Sequence, residues 1–205
     1  MKIVRETLFE EEDYKPKWIK GPTQEQVRAR LEANLSGKTL KERFNLAVRN
    51  GVVWLLQECI DAGYDPSAYE NWAIRLAADH GHPEVVKVLL ADPRVDPSAA
   101  NNFAIRSASQ NGHLEVVKAL LADKRVNPSV HDNFAIRYAS YCNYIEVVKL
   151  LLLDPRVDPS AGDNWLIKWA SSHEHLELAK ELLKDKRVRE NLSPELKIEF
   201  KEFLK

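Results

Sequence analysis

Apolar positions along most of this chain fall into two alternating helical patterns. The first is sparser in large aliphatic residues: Ile74 and Ala77, then Ile105 and Ala108, stand at i and i+3. The second is dense, with Val85, Val86, Leu89 and Leu90 at i, i+1, i+4 and i+5, a stripe that must be buried. Between a dense stripe and the next sparse one stands a fixed tripeptide: Asp65-Pro66-Ser67, Asp96-Pro97-Ser98, Asn127-Pro128-Ser129 or Asp158-Pro159-Ser160. Pro93 and Pro97 predict that the helix stops there and that the connection stays extended. The tripeptides start 31 residues apart each time. Asn71-Trp72-Ala73-Ile74-Arg75 recurs at the same step as Asn102-Phe103-Ala104-Ile105-Arg106, Asn133-Phe134-Ala135-Ile136-Arg137 and Asn164-Trp165-Leu166-Ile167-Lys168. So does Glu84-Val85-Val86-Lys87, as Glu115-Val116-Val117-Lys118, Glu146-Val147-Val148-Lys149 and Glu177-Leu178-Ala179-Lys180. Self-similarity at this period predicts a stacked array whose units bury their apolar faces only against neighbours.

The pattern divides the chain into a flexible arm at 1–22, a capping helix at 23–37, five units and a second capping helix at 190–205. The units are 38–65, 66–96, 97–127, 128–158 and 159–189. Thr23 with Gln26 reads as a capping box, and Val27, Leu31 and Leu35 mark the apolar face of that helix. The first unit is degenerate. Phe44, Ala47 and Val48 mark one helix, Asn50-Gly51 a turn, and Val52 to Ala62 a second helix ending at Gly63. Ala77, Ala108, Ala139 and Ala170 are small enough for two helices to approach closely. In the last unit Ala179, Glu181 and Lys184 are the substitutions expected where a face meets water. Ser193-Pro194-Glu195 starts the closing helix, and Leu196, Phe200, Phe203 and Leu204 would seal that end. The fold class is all-α: a solenoid of helix–turn–helix units with N- and C-terminal capping helices.

Charge and chemistry then narrow the function. The chain carries 30 basic against 31 acidic residues, so no global excess of positive charge favours nucleic acid or membrane. Two cationic ladders run at the repeat step: Arg75, Arg106, Arg137, Lys168 and Arg94, Arg125, Arg156, Arg187. Asp92 and Asp96 flank Arg94, and Asp154 and Asp158 flank Arg156, which favours salt bridging over phosphate binding. Glu84 with Lys87, and its counterparts, form self-neutralised helix faces. No phosphate loop, nucleophile motif or HExxH is present, so no enzyme and no cofactor are expected. His173-Glu174-His175 is the densest metal-like cluster, but it lacks a second ligand pair. Cys59 and Cys142 lie far apart and read as reduced thiols. With no apolar run of membrane-spanning length and no secretory leader, a cytoplasmic monomer is expected.

Gly112-His113-Leu114-Glu115-Val116-Val117-Lys118-Ala119-Leu120-Leu121 resembles the inner signature of the ankyrin repeat, and Gly81-His82-Pro83-Glu84-Val85-Val86-Lys87 repeats it. The resemblance covers residues 38–189 and implies recognition of another protein through a concave groove. It also implies that His82 and His113 brace their turns through backbone hydrogen bonds. The chain departs from the family at Trp72-Ala73-Ile74-Arg75 and its counterparts, which replace Thr-Pro-Leu-His. Asn71, Asn102, Asn133 and Asn164 are then the expected helix caps. The step of 31 falls short of the usual 33 or so. The missing residues lie in the finger between Leu90 and Phe103, which turns attention from fingertips to groove. Such short, proline-containing units resemble amoebal and giant-virus arrays, and Met1 to Glu6 resembles starts on large tailed phages.

By the same resemblance, the positions that vary between units at the turn and helix ends line the groove. With the varying mid-helix residues Tyr138 and Trp169, which could instead pack between stacked helices, they give the candidate partner-binding set Tyr69, Asp79, His80, Gln110, Asn111, His131, Tyr138, Tyr141, Trp169 and His173. Tyr138, Tyr141 and Trp169 are the aromatic cluster an interface anchor requires. Competing readings are a structural spacer recognised through Trp18 in the arm, a viral or phage binder that blocks a host protein, and a designed array.

Overall fold

A computed structural model describes residues 28, 29, 32, 33 and 35–204 of the chain. The Trp18 arm and the expected capping residues Thr23, Gln26, Val27 and Leu31 lie outside the described residues. The chain falls into two compact units, Met1–Lys38 and Thr39–Lys205. In the first, residues 28, 29, 32, 33 and 35 are helical, Leu35 is buried, and Arg28 Nε meets Glu32 Oε1 at 2.8 Å.

The second unit is a run of helix pairs, with no strand among the described residues. Its first helix, α1 (Leu40–Asn50), opens on a capping box. The Thr39 N–H donates to Glu42 Oε2 at 2.7 Å, and the Glu42 N–H donates to Thr39 Oγ1 at 3.3 Å. Phe44, Ala47 and Val48 face the core as expected, and Gly51, at φ 71°, makes the turn. Then α2 (Val53–Asp61) buries Leu55, Leu56 and Cys59. It closes at left-handed Gly63, where the Tyr64 N–H reaches the Cys59 carbonyl at 3.0 Å. The later pairs are α3 (Ala68–Asp79) with α4 (Pro83–Ala91), α5 (Ala99–Gln110) with α6 (Leu114–Leu121), α7 (Val130–Tyr141) with α8 (Ile145–Leu152), and α9 (Ala161–Ser172) with α10 (Leu176–Lys184).

Each first helix from α3 onward has its second to fourth residues in the left-handed region. In α5 these are Ala100 (φ 52°, ψ 46°), Asn101 (φ 55°, ψ 52°) and Asn102 (φ 57°, ψ 40°). Left-handed backbone costs an L-residue roughly 1–2 kcal/mol, so the turn needs local support. The Asp-Pro-Ser tripeptide supplies part of it. Asp96 Oδ1 accepts from both the N–H and the hydroxyl of Ser98, at 2.9 and 2.6 Å, and the Asn102 N–H closes on the Ser98 carbonyl at 2.7 Å. The asparagines depart from the expected capping role. Asn71, Asn102 and Asn133 Oδ1 accept from the backbone N–H of Asp96, Asn127 and Asp158, 25 residues on in the loop that leads to the next helix pair, at 2.7, 2.6 and 2.9 Å. They join neighbouring loops instead of capping their own helices, because the left-handed turn separates them from a capping geometry.

First helices pack on first helices and second on second, giving two layers with the core between them. Ala77, Ala108, Ala139 and Ala170 are fully buried, as close approach requires. In the dense stripe Val85, Val86 and Leu89 are buried, while Leu90 is only half-buried, so the stripe is narrower than its sequence predicts. Fully burying such a side chain is worth about 1.5–3 kcal/mol. At the C-terminal end the expected wet face is covered at two of its three positions, while Lys184 is exposed. Ala179 is buried, and Glu181 is largely shielded, lying 2.6 Å from Lys184 and 3.9 Å from Lys149. A short α11 (Lys186–Glu190) and α12 (Pro194–Glu199) follow. The Ser193 hydroxyl caps α12 as its sequence predicts, and Leu196 and Phe200 are buried, whereas Phe203 stays exposed.

Candidate functional site

The loop ladder of arginines is a structural staple. Arg94, Arg125, Arg156 and Arg187 each fork onto the aspartate two residues earlier, with Nη2 to Oδ2 at 2.6 Å in every case. Nη1 of Arg125, Arg156 and Arg187 then donates to the Val95, Val126 and Val157 carbonyls of the preceding unit, at 2.7, 2.8 and 2.8 Å. Hydrogen bonds from these guanidinium groups hold the Asp92, Asp123, Asp154 and Asp185 carboxyls below the usual carboxylate range, against the opposing push of burial. The positive charge is consumed within the stack, but the ion pairs are local to one loop, and it is the carbonyl contacts that cross between units.

The other ladder interleaves with aromatic rings. Arg106 lies 5.7 Å from the Phe103 ring and 5.1 Å from the Phe134 ring, and Arg137 lies 5.0 Å from Trp165. Arg75 and Arg106 also serve the left-handed turns: Arg75 Nη2 donates to the Tyr69 carbonyl at 3.2 Å, and Arg106 Nε to the Asn101 carbonyl at 3.1 Å. Lys168 instead pairs with the Asp163 carboxylate.

The helix-end positions form joints between adjacent pairs. Between α3 and α5 the joint is polar. The Asp79 carboxylate accepts from the Ser107 hydroxyl, and also from Asn111 Nδ2 at 3.1 Å. The Asp79 carbonyl takes Asn111 Nδ2 at 3.2 Å and His113 Nε2 at 3.0 Å. His82 does the same one joint earlier, meeting the Arg49 carbonyl at 2.9 Å, so both inner-signature histidines brace their turns. Their rings pack on a glycine of the preceding turn. A Cβ on Gly81 would stand 2.6 Å from the His113 ring, so a side chain there has no room. His80 lies beside Asp79 at 3.5 Å, and Gln110 is exposed.

Between α7 and α9 the joint is aromatic. Tyr141 meets Trp169 at 5.5 Å between ring centroids, and Trp169 stacks on His173 at 4.5 Å and His175 at 5.0 Å. Trp165 lies 6.2 Å from Trp169, and Tyr138 stacks on Phe134 at 3.9 Å. Tyr141 is 62% exposed and Tyr138 39%, so these rings are not spent on the core. A recess of about 340 Å³ opens here, lined by Arg137, Tyr138, Tyr141 and Trp165. His173 and His175 both stack on the Trp169 indole. Among the described residues no group of three or more His, Cys, Asp or Glu side chains could hold a metal, and no helix is long and apolar enough to cross a membrane.

Of the sequence-derived set, the structure brings together Tyr138, Tyr141, Trp169 and His173, and separately Asp79, His80 and Asn111. Tyr69 stands apart, with its hydroxyl 2.6 Å from Lys41 Nζ, a hydrogen bond that raises the Lys41 pKa. His131 is the first residue of a left-handed turn and is exposed. Sequence reasoning missed Phe134, Arg137, Trp165 and His175. Three of these occupy positions whose character recurs in the four units after the first, and their recurrence pointed to a scaffold role. The available signal was the pairing of an aromatic ring with an arginine three residues on, which amphipathic spacing places on one exposed helix face.

Comparison with known proteins agrees with this architecture. A family model described as ankyrin repeats, in three copies, matches residues 44–132, 74–163 and 107–194. No curated protein matches the chain. Paired helices stacked at a constant step, turn-bracing histidines and a family match spanning most of the sequence together place this chain in the ankyrin-repeat family.

Proposed function

We propose that the chain is a non-catalytic scaffold that binds another protein through the exposed side of its first-helix layer. Tyr138, Tyr141 and Trp169 serve as the anchor. Ankyrin repeats are generally protein–protein interaction modules. The observation that supports a site on this chain is the contiguous aromatic surface of α7 and α9, where large rings remain exposed beside a recess. Aromatic rings bring large contact area at low entropic cost, which is why they dominate binding hot spots. The polar joint at Asp79 lies on the same layer and serves as its rim.

Affinity capture with the full chain, the chain lacking residues 1–22, and the Tyr138→Ala/Tyr141→Ala variant tests this reading. A partner held by the first two and weakened at least about 30-fold by the double variant supports it. A partner lost on truncation but kept by the double variant returns recognition to the Trp18 arm.

A further inference from the structure

Arg137 differs from its counterparts in the ladder. Arg75 and Arg106 donate to carbonyls of their own left-handed turns, and Lys168 pairs with Asp163. Among the described residues Arg137 has no hydrogen-bond acceptor and no ion-pair partner. The residue is exposed, and its guanidinium lies 5.0 Å from the centroid of the Trp165 ring. It borders two recesses. One, of about 340 Å³, has aromatic walls from Tyr138, Tyr141 and Trp165. The other, of about 330 Å³, is lined in part by Asp132, Asp158 and Gly162. Neither aspartate pairs with Arg137, and Asp158 Oδ1 already accepts from the Ser160 N–H and hydroxyl at 2.9 and 2.7 Å.

Resting on the binding role proposed above, we infer that the aromatic recess takes a linear segment of the partner protein in which an Asp or Glu stands next to a large apolar residue. The apolar side chain fills the space between Tyr138, Tyr141 and Trp165, and the carboxylate accepts from the fork of Arg137. A planar guanidinium matches a carboxylate with two parallel hydrogen bonds, and packing against an indole fixes its orientation beforehand. Desolvation by the surrounding rings strengthens the pairing. The contrast between the two recesses gives selectivity, because the aspartates beyond Arg137 repel an acidic segment that enters from the wrong side.

A displayed library of random dodecapeptides, selected on the purified full chain, tests the inference. Enriched peptides should carry Asp or Glu adjacent to Leu, Ile, Phe, Tyr or Trp. A synthetic peptide of the enriched sequence should bind at least about tenfold more weakly to Arg137→Gln, as loss of a charge-assisted hydrogen bond requires. Arg137→Lys should recover part of that loss, and rising salt should weaken the wild-type complex. Enriched peptides without an acidic residue that still depend on Tyr138 and Tyr141 overturn the carboxylate assignment and leave the aromatic site standing. Peptides indifferent to Arg137, Tyr138 and Tyr141 alike overturn both. Failure to enrich any peptide overturns recognition of a linear segment.

Discussion

The joint between α3 and α5 and the joint between α7 and α9 use the same three register positions for different chemistry. In the first, Asp79 meets Ser107 and Asn111 through hydrogen bonds. In the second, Tyr141 meets Trp169, which stacks on His173. The polar joint satisfies its groups internally, whereas the aromatic joint leaves Tyr141 mostly in water and Trp169 half-buried. One arrangement serves the stack and the other leaves surface for a partner. Asp79→Ala should therefore lower stability by about 2 kcal/mol, since it strips a charged acceptor from a buried hydroxyl. Tyr141→Ala should cost less than about 1 kcal/mol, because its ring is mostly exposed. Urea unfolding of both variants measures the difference. Equal losses would erase the distinction between the joints.

Both joints share the arginine staple, so a smaller and equal effect is expected from it. Arg125→Gln removes the donor to Val95 next to the polar joint, and Arg187→Gln removes the donor to Val157 next to the aromatic one. Each should cost about 1 kcal/mol at neutral pH, the partly exposed geometry trimming the full value of a charged hydrogen bond. The paired aspartates carry folded pKa values below their unfolded ones. Their contribution is complete above the unfolded value of about 4 and disappears as pH falls through the lower folded value. The acid limb of the stability curve should flatten in both variants. A flattening confined to one would mean that the joints lean on the staple unequally.

The helix pairs were legible because burial imposes a period that only one fold class satisfies. Gly63, the Ser193 cap and the buried alanines followed from local rules acting at the positions where they occur. The left-handed turn was not legible. Tyr69, Glu70 and Ala100 carry no preference for positive φ, and at Ala100 the conformation is supported by Ser98 with Asp96, by Arg106, and by the loop 25 residues on. The asparagines were misread for the same reason: a residue before a helix reads as a cap unless its partner 25 positions away is known. At the candidate site, variation between units pointed to Tyr138, Tyr141 and Trp169. It was blind to Arg137 and Trp165, whose roles depend on which counterparts find partners.

The turns offer a milder contrast between the joints. The third pair places Ala100 at φ 52°, where the fifth pair has Gly162 at φ 63°. Glycine occupies that region without the roughly 1–2 kcal/mol that a Cβ costs, and gives back about 0.5–1 kcal/mol through the greater entropy of its unfolded chain. Ala100→Gly should accordingly stabilise the protein by up to about 1 kcal/mol. A lowered urea midpoint would show that the turn around Ala100 does not hold the left-handed conformation in solution.

The smallest effect concerns hydroxyls one position further round the first helices. Ser171, in the fifth pair, donates to Glu199, while Ser109 and Ser140 are fully buried and their hydroxyls have no partner among the described residues. The second pair has Ala78 at the equivalent place and buries it completely, so a methyl group is accommodated there. A buried hydroxyl without a partner is a net cost, and its removal leaves no other group unsatisfied. Ser140→Ala should therefore be neutral or stabilising by up to about 1 kcal/mol, whereas Ser171→Ala should be destabilising by about as much. Thermal or urea unfolding of the two single variants reads the sign directly. Destabilisation by Ser140→Ala would mean that its hydroxyl finds an acceptor in solution, and the fourth pair would then carry a polar tie beneath its aromatic surface.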